Sequence, residues 1–88
     1  AAEWGLIWKV VDDDLLEREA VALAKHLAGQ PTQALAYIKQ ALAASWGNAL
    51  DEQLALERNL QRSAGRTDDY REGVAAFMEK RSPVFTGK

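Results

Sequence analysis

Three short interruptions, Gly29-Gln30-Pro31, Trp46-Gly47-Asn48 and Gly65-Arg66-Thr67, cut most of the chain into segments of helical length. They restrict the available folds more than any other feature. Gly readily takes the conformation that closes a last helical turn, Pro forbids continuation of the helix before it, and Asn or Thr can cap the next one. Between the interruptions, apolar residues recur at three- and four-residue spacing, so helices are expected over about 13–28, 31–45, 49–64 and 68–80. The expected architecture is all-α, about four helices in a small bundle.

The first helix carries Leu16, Ala20, Leu23, Ala24 and Leu27 on one face, with Gly29 as its C-cap. Lys25 and His26 fall in its last turn, where positive or polar groups suit the carbonyl end of the dipole. The second, opened by Pro31 at its first position, has the stripe Ala34, Leu35, Ile38, Ala41, Leu42 and Ser45. With so short a loop between them, these two helices are expected to form an antiparallel pair. Ahead of them, residues 1–4 read as the last turn of a helix ended by a left-handed Gly5, and Leu6-Ile7-Trp8-Lys9-Val10-Val11 as an extended segment or short strand. Asp12-Asp13-Asp14 could be mistaken for a metal site, but just before a helical pattern they are better explained as an N-cap and first-turn charges.

Asn48 is the expected N-cap of the third helix, whose broad apolar side of Ala49, Leu50, Leu54, Leu56, Leu60 and Ala64 is crossed by a polar ridge. Gln53, Glu57 and Gln61 lie at successive i, i+4 positions within it, and if covered each needs a hydrogen-bond partner. Glu57 is read either as part of a packing face whose partner supplies donors, or as an acid–base group touching substrate. Thr67 caps the fourth helix, with Asp68 and Asp69 in its first turn and the stripe Tyr70, Val74, Phe77, Met78 and Arg81. A glycine at mid-helix, Gly73, costs about 1 kcal/mol relative to Ala and suggests close approach of another backbone. Phe77 and Lys80, three apart, would share one side, where a ring and a charge can act together. Pro83 ends the helix, leaving Val84 and Phe85 in a short tail.

At 88 residues the chain is one domain near the lower limit for a self-sufficient core. Its 48% apolar and 27% charged content is that of a globular protein, and a net charge of −2 argues against nucleic acid as the main partner. Without cysteine there is no disulfide, thiolate metal site or cysteine nucleophile, and the single His26 cannot assemble a metal site alone. Cytoplasm is the default compartment, since no stretch reads as a membrane span or signal peptide. The start at Ala1-Ala2-Glu3 suggests a piece of a longer protein. Neither Gly-rich phosphate loop, nor a Gly-x-Ser-x-Gly elbow, nor a His-Glu-x-x-His helix is present. No catalytic residue is assigned, and the isolated chain is expected to be inactive.

Trp4-Gly5-Leu6-Ile7, Leu23-Ala24, Pro31, Lys39, Leu50, Leu54 and Glu57, followed by Glu72-Gly73-Val74-Ala75-Ala76-Phe77 and Glu79-Lys80-Arg81-Ser82-Pro83 with Phe85, resemble the C-terminal end of the crotonase superfamily, the enoyl-CoA hydratases and isomerases. The resemblance covers the whole chain. It implies an enzyme acting on a coenzyme A thioester, with its oxyanion-hole amides and catalytic carboxylate in a β/α core outside these residues. It also implies that helices such as these join subunits into trimers or hexamers and lie over the neighbouring subunit's coenzyme A pocket. In the Phe-x-x-Lys-Arg motif of the family, Phe and Lys meet the adenine and phosphate end of coenzyme A, and here those residues are Phe77 and Lys80. The implied partners are the chain's own N-terminal core and neighbouring subunits, with self-association of the fragment when separated from them. No cofactor is expected to bind the fragment alone, and neither nucleic acid nor a membrane is an expected partner. The alternative is a stand-alone helical interaction module, in which Phe77 is core and Lys80 solvated.

Overall fold

The computed structural model describes all of residues 1–88. It is all-α, a small open bundle of four helices: α1 (Leu16–Ala28), α2 (Thr32–Ser45), α3 (Leu50–Ala64) and α4 (Asp68–Glu79), with a 3₁₀ turn at Asp13–Leu15 leading into α1. No helix is long and apolar enough to cross a membrane.

At the N-terminus, Gly5 N–H bonds the Ala2 carbonyl and Leu6 N–H the Ala1 carbonyl, both at 3.1 Å. This nested pair, with Gly5 at φ 76°, is the glycine-terminated helix end expected from the sequence. Residues 6–8 bend and residues 9–12 have no regular secondary structure, so the expected strand does not form: no second strand offers it a ladder. Instead they lie along α1, where Trp8 and Val11 line a hollow with Leu16 and Leu23, and Lys9 Nζ meets Glu19 Oε2 at 3.2 Å. Asp12 precedes the 3₁₀ turn as its N-cap and Asp13 and Asp14 open it, as expected, but Asp12 makes no side-chain cap bond, so the three act through charge alone.

Two expected helix starts are corrected by one residue each. Ala49, not Asn48, is the N-cap of α3, and the Asn48 amide instead donates to Gln53 Oε1 at 3.1 Å. Pro31 lies just before α2, its carbonyl accepting Leu35 N–H at 3.1 Å. Thr67 does cap α4: its hydroxyl accepts Tyr70 N–H at 3.1 Å and donates to the Ala64 carbonyl at 2.7 Å, tying α3 to α4.

The expected α1–α2 pair does not form. The close helix pair is α2 with α3, whose facing small residues, Ala34 and Ala41 on one and Ala64 on the other, line a common seam. The polar ridge of α3 runs along this seam. Gln53 Nε2 donates to the Ala41 carbonyl at 3.0 Å and to Glu57 Oε1 at 3.2 Å.

The molecule measures 43 × 39 × 19 Å with a radius of gyration of 16.5 Å; a compact domain of this length would have about 12 Å. Its accessible surface is 7455 Å², against roughly 5,100 Å² for a self-contained monomer of this mass. Only Asp69 and Ala76 are buried, and no large apolar side chain is fully covered. The helices thus form a slab whose apolar faces are mostly open.

Candidate ligand-capping site

The end of α4 sets the geometry of the predicted pair. Lys80 N–H bonds the Phe77 carbonyl at 3.3 Å and Arg81 N–H the Ala76 carbonyl at 3.0 Å, with Lys80 at φ 55°, ψ 43°. The helix therefore stops at Glu79, and Lys80 is the left-handed residue that reverses the chain, a position usually given to Gly. This corrects the expectation that Phe77 and Lys80 are helical i, i+3 neighbours. A lysine in this conformation costs about 1 kcal/mol, strain of a kind that gathers at functional sites.

The neighbouring charges are engaged. Arg81 forks onto Glu72 at 2.6 and 3.1 Å and reaches Glu79 at 2.5 Å, while Glu72 Oε1 also accepts Val84 N–H at 2.9 Å. The Arg81 hydrogen bonds, then the Val84 amide, hold the Glu72 carboxyl down at about 2, and the same pairing raises Arg81. Arg81 thus belongs to an ionic cluster and not to the apolar stripe of α4. Lys80 makes no ion pair and stands exposed beside this cluster.

Phe77 is 82% exposed, so it is no core residue of this chain. Its ring borders an apolar hollow of about 360 Å³ shared with Tyr70 and Val74 of α4, Pro31 and Ala34 at the start of α2, and Phe85 from the closing segment. Gly73 faces the Phe85 ring, and a Cβ there would make ordinary contact with it at 3.7 Å. The close neighbour is a side chain and not the backbone expected from sequence. Lys80 is not among the residues lining the hollow.

The other candidates take structural places. Glu57 is exposed and accepts a bond from Gln53 one turn back on its own helix. His26 is exposed at the end of α1, and no group of His, Cys, Asp or Glu is placed to hold a metal. Asp69 was missed by sequence reasoning. Adjacent acids Asp68 and Asp69 read alike, yet Asp68 is exposed and pairs with Arg71 at 2.6 Å, whereas Asp69 is 3% exposed. Its carboxylate accepts Thr86 N–H at 2.7 Å and Gly87 N–H at 2.8 Å. The only hint lay in the glycine near the end of the tail.

Against known proteins, the family model described as enoyl-CoA hydratase/isomerase matches residues 1–88. The chain belongs to the enoyl-CoA hydratase/isomerase family. Among relatives in this family, it is 61% identical over 88 residues to 1,2-epoxyphenylacetyl-CoA isomerase of Escherichia coli, covering all of this chain and 34% of that protein. It is 40% identical to 2,3-dehydroadipyl-CoA hydratase of the same organism, with the same coverage. A solved enoyl-CoA hydratase subunit of Geobacillus kaustophilus superposes on the whole chain with a TM-score of 0.91 and 40% identity, and the match spans 34% of that structure. The chain thus spans about a third of the length of these family members.

Proposed function

We propose that this chain is the helical assembly and capping segment of an enoyl-CoA hydratase/isomerase-type enzyme that acts on an acyl-CoA thioester. The observation that carries the reading is the open slab. Its surface exceeds that of a self-contained monomer of this mass by roughly 2,300 Å², the scale of a large subunit or domain interface. An exposed aromatic ring and an unpaired lysine stand on the same helix end. Catalytic groups lie outside these residues. Here the chain supplies contacts to the rest of the enzyme and to neighbouring subunits in a trimer or hexamer, and Phe77 with Lys80 completes the coenzyme A pocket of an adjacent subunit.

The chemistry suits these roles. A flat exposed ring can stack on adenine, and a lysine ammonium is a compact charge for phosphate with three donors. Because Arg81 is engaged by two carboxylates, Lys80 is the cation left free for a ligand. At 61% identity, the E. coli isomerase points to 1,2-epoxyphenylacetyl-CoA as the substrate and to phenylacetate catabolism in the cytoplasm. Assay of the full-length enzyme with 1,2-epoxyphenylacetyl-CoA against crotonyl-CoA tests the substrate. Preferred turnover of the epoxide supports it, and preferred hydration of crotonyl-CoA would replace isomerase by hydratase.

The isolated chain is expected to self-associate through its open apolar faces. Sedimentation at high concentration should give dimers or larger species, whereas a strictly monomeric profile would favour a stand-alone module.

A further inference from the structure

α4 packs closely along neither α2 nor α3, yet the start of α4 is held to the start of α2. The connection runs through residues 86–88. The Asp69 carboxylate takes the N–H groups of Thr86 and Gly87, the Asp69 N–H bonds the Lys88 main-chain oxygen at 2.9 Å, and Gln33 Nε2 of α2 donates to the Gly87 carbonyl at 3.1 Å. Gly87 is at φ 80°, and a Cβ there would sit 2.8 Å from Thr32 Oγ1, so glycine is needed both for the backbone and for the fit against α2. Further along α4, Glu72 fixes the other end of the same segment through Arg81 and the Val84 amide, and Phe85 between them walls the hollow beside Phe77.

We infer that Asp69 is the latch of a clasp by which residues 84–88 fix α4 to the start of α2, and is thereby a positioning residue for Phe77 and Lys80. An acid needed only for the helix dipole would be equally useful at Asp68, which is exposed and bonds within its own helix. Asp69 instead accepts two charge-assisted, part-buried bonds on a buried carboxylate, which are lost together with the acceptor. The second half of the inference rests on the capping reading; the clasp does not.

The test uses the full-length enzyme with Asp69→Asn, Gly87→Ala, their double variant, and Asp68→Asn as control. In hydrogen exchange, Asp69→Asn and Gly87→Ala should each speed exchange of α4 amides about tenfold, with those of α2 and α3 within about twofold of wild type. The double variant should match the worse single one, since both break the same clasp. Asp68→Asn should leave exchange unchanged. The KM for an acyl-CoA thioester should rise about tenfold in the clasp variants with kcat changed less than about threefold, and KM for the same acyl group on pantetheine should stay put. If Asp69→Asn does not fold, Gly87→Ala and the milder Gln33→Ala carry the same readouts. Unchanged α4 exchange, or a fully additive double variant, overturns the clasp. Faster exchange with unchanged KM, where Lys80→Ala does raise KM, overturns positioning. If Lys80→Ala itself leaves KM unchanged, the capping reading fails and the positioning role with it, while the exchange data still decide the clasp.

Discussion

The α2–α3 pair and the unit formed by α4 with its closing segment are held in different ways. Small and apolar residues bring α2 and α3 together along a seam, crossed by one side-chain bond from Gln53 to the Ala41 carbonyl. The α4 unit is tied by directed polar bonds: the Thr67 cap, the Asp69 latch and the Glu72–Arg81 fork. An area-based contact weakens gradually as side chains are trimmed. A latched contact fails at single positions.

That difference predicts an order of effects in the full-length enzyme, each measurable by chemical denaturation, the last as a function of pH. Asp69→Ala should be the most damaging, at about 3 kcal/mol, because two charge-assisted, part-buried bonds to a buried carboxylate are lost together. A loss under 1 kcal/mol would show that α4 is held by area after all. Gln53→Ala should cost about 1 kcal/mol, the value of one bond across a seam that otherwise persists. A loss as large as that of Asp69→Ala would erase the contrast between the regions.

Gly73→Ala should move the other way. The added Cβ makes ordinary contact with Phe85 at 3.7 Å, so a gain of about 0.5–1 kcal/mol from helix propensity is expected. A loss would mean that Phe85 cannot adjust and that the hollow is tighter than its geometry indicates. The smallest effect is pH-dependent. The Glu72 pKa lies at about 2 in the folded chain, below its ordinary 4.5. Its contribution is therefore fully present above 4.5 and lost as pH falls towards 2. The stability difference between wild type and Glu72→Gln should shrink through this acid window. A difference that persists at its lower end would assign the effect to shape instead of charge.

Much of the fold is legible in the sequence because its signals are local. Gly5 and Thr67 act within one turn of themselves, and the structure places both in the expected roles. Pairing is less legible: stripes on α1 and α2 show which faces are apolar but not which partner each meets, and α2 lies on α3. At the candidate site, sequence supplies the residue types at Phe77 and Lys80 but not the reversal at Lys80, since Lys carries no mark of a left-handed turn. Asp69 was hidden for a related reason: its partners are backbone amides of residues 86 and 87, and a backbone donor leaves no trace in residue identity.

We propose that the exposed end of α4 completes a coenzyme A site. The most direct test is the KM of the full-length enzyme carrying Lys80→Ala, measured with an acyl-CoA thioester and with the same acyl group on pantetheine, which lacks the adenine and its phosphates. An increase of about tenfold confined to the coenzyme A ester is expected for the loss of one phosphate contact. Equal KM values for wild type and variant with both thioesters, or equal increases with both, would contradict the account.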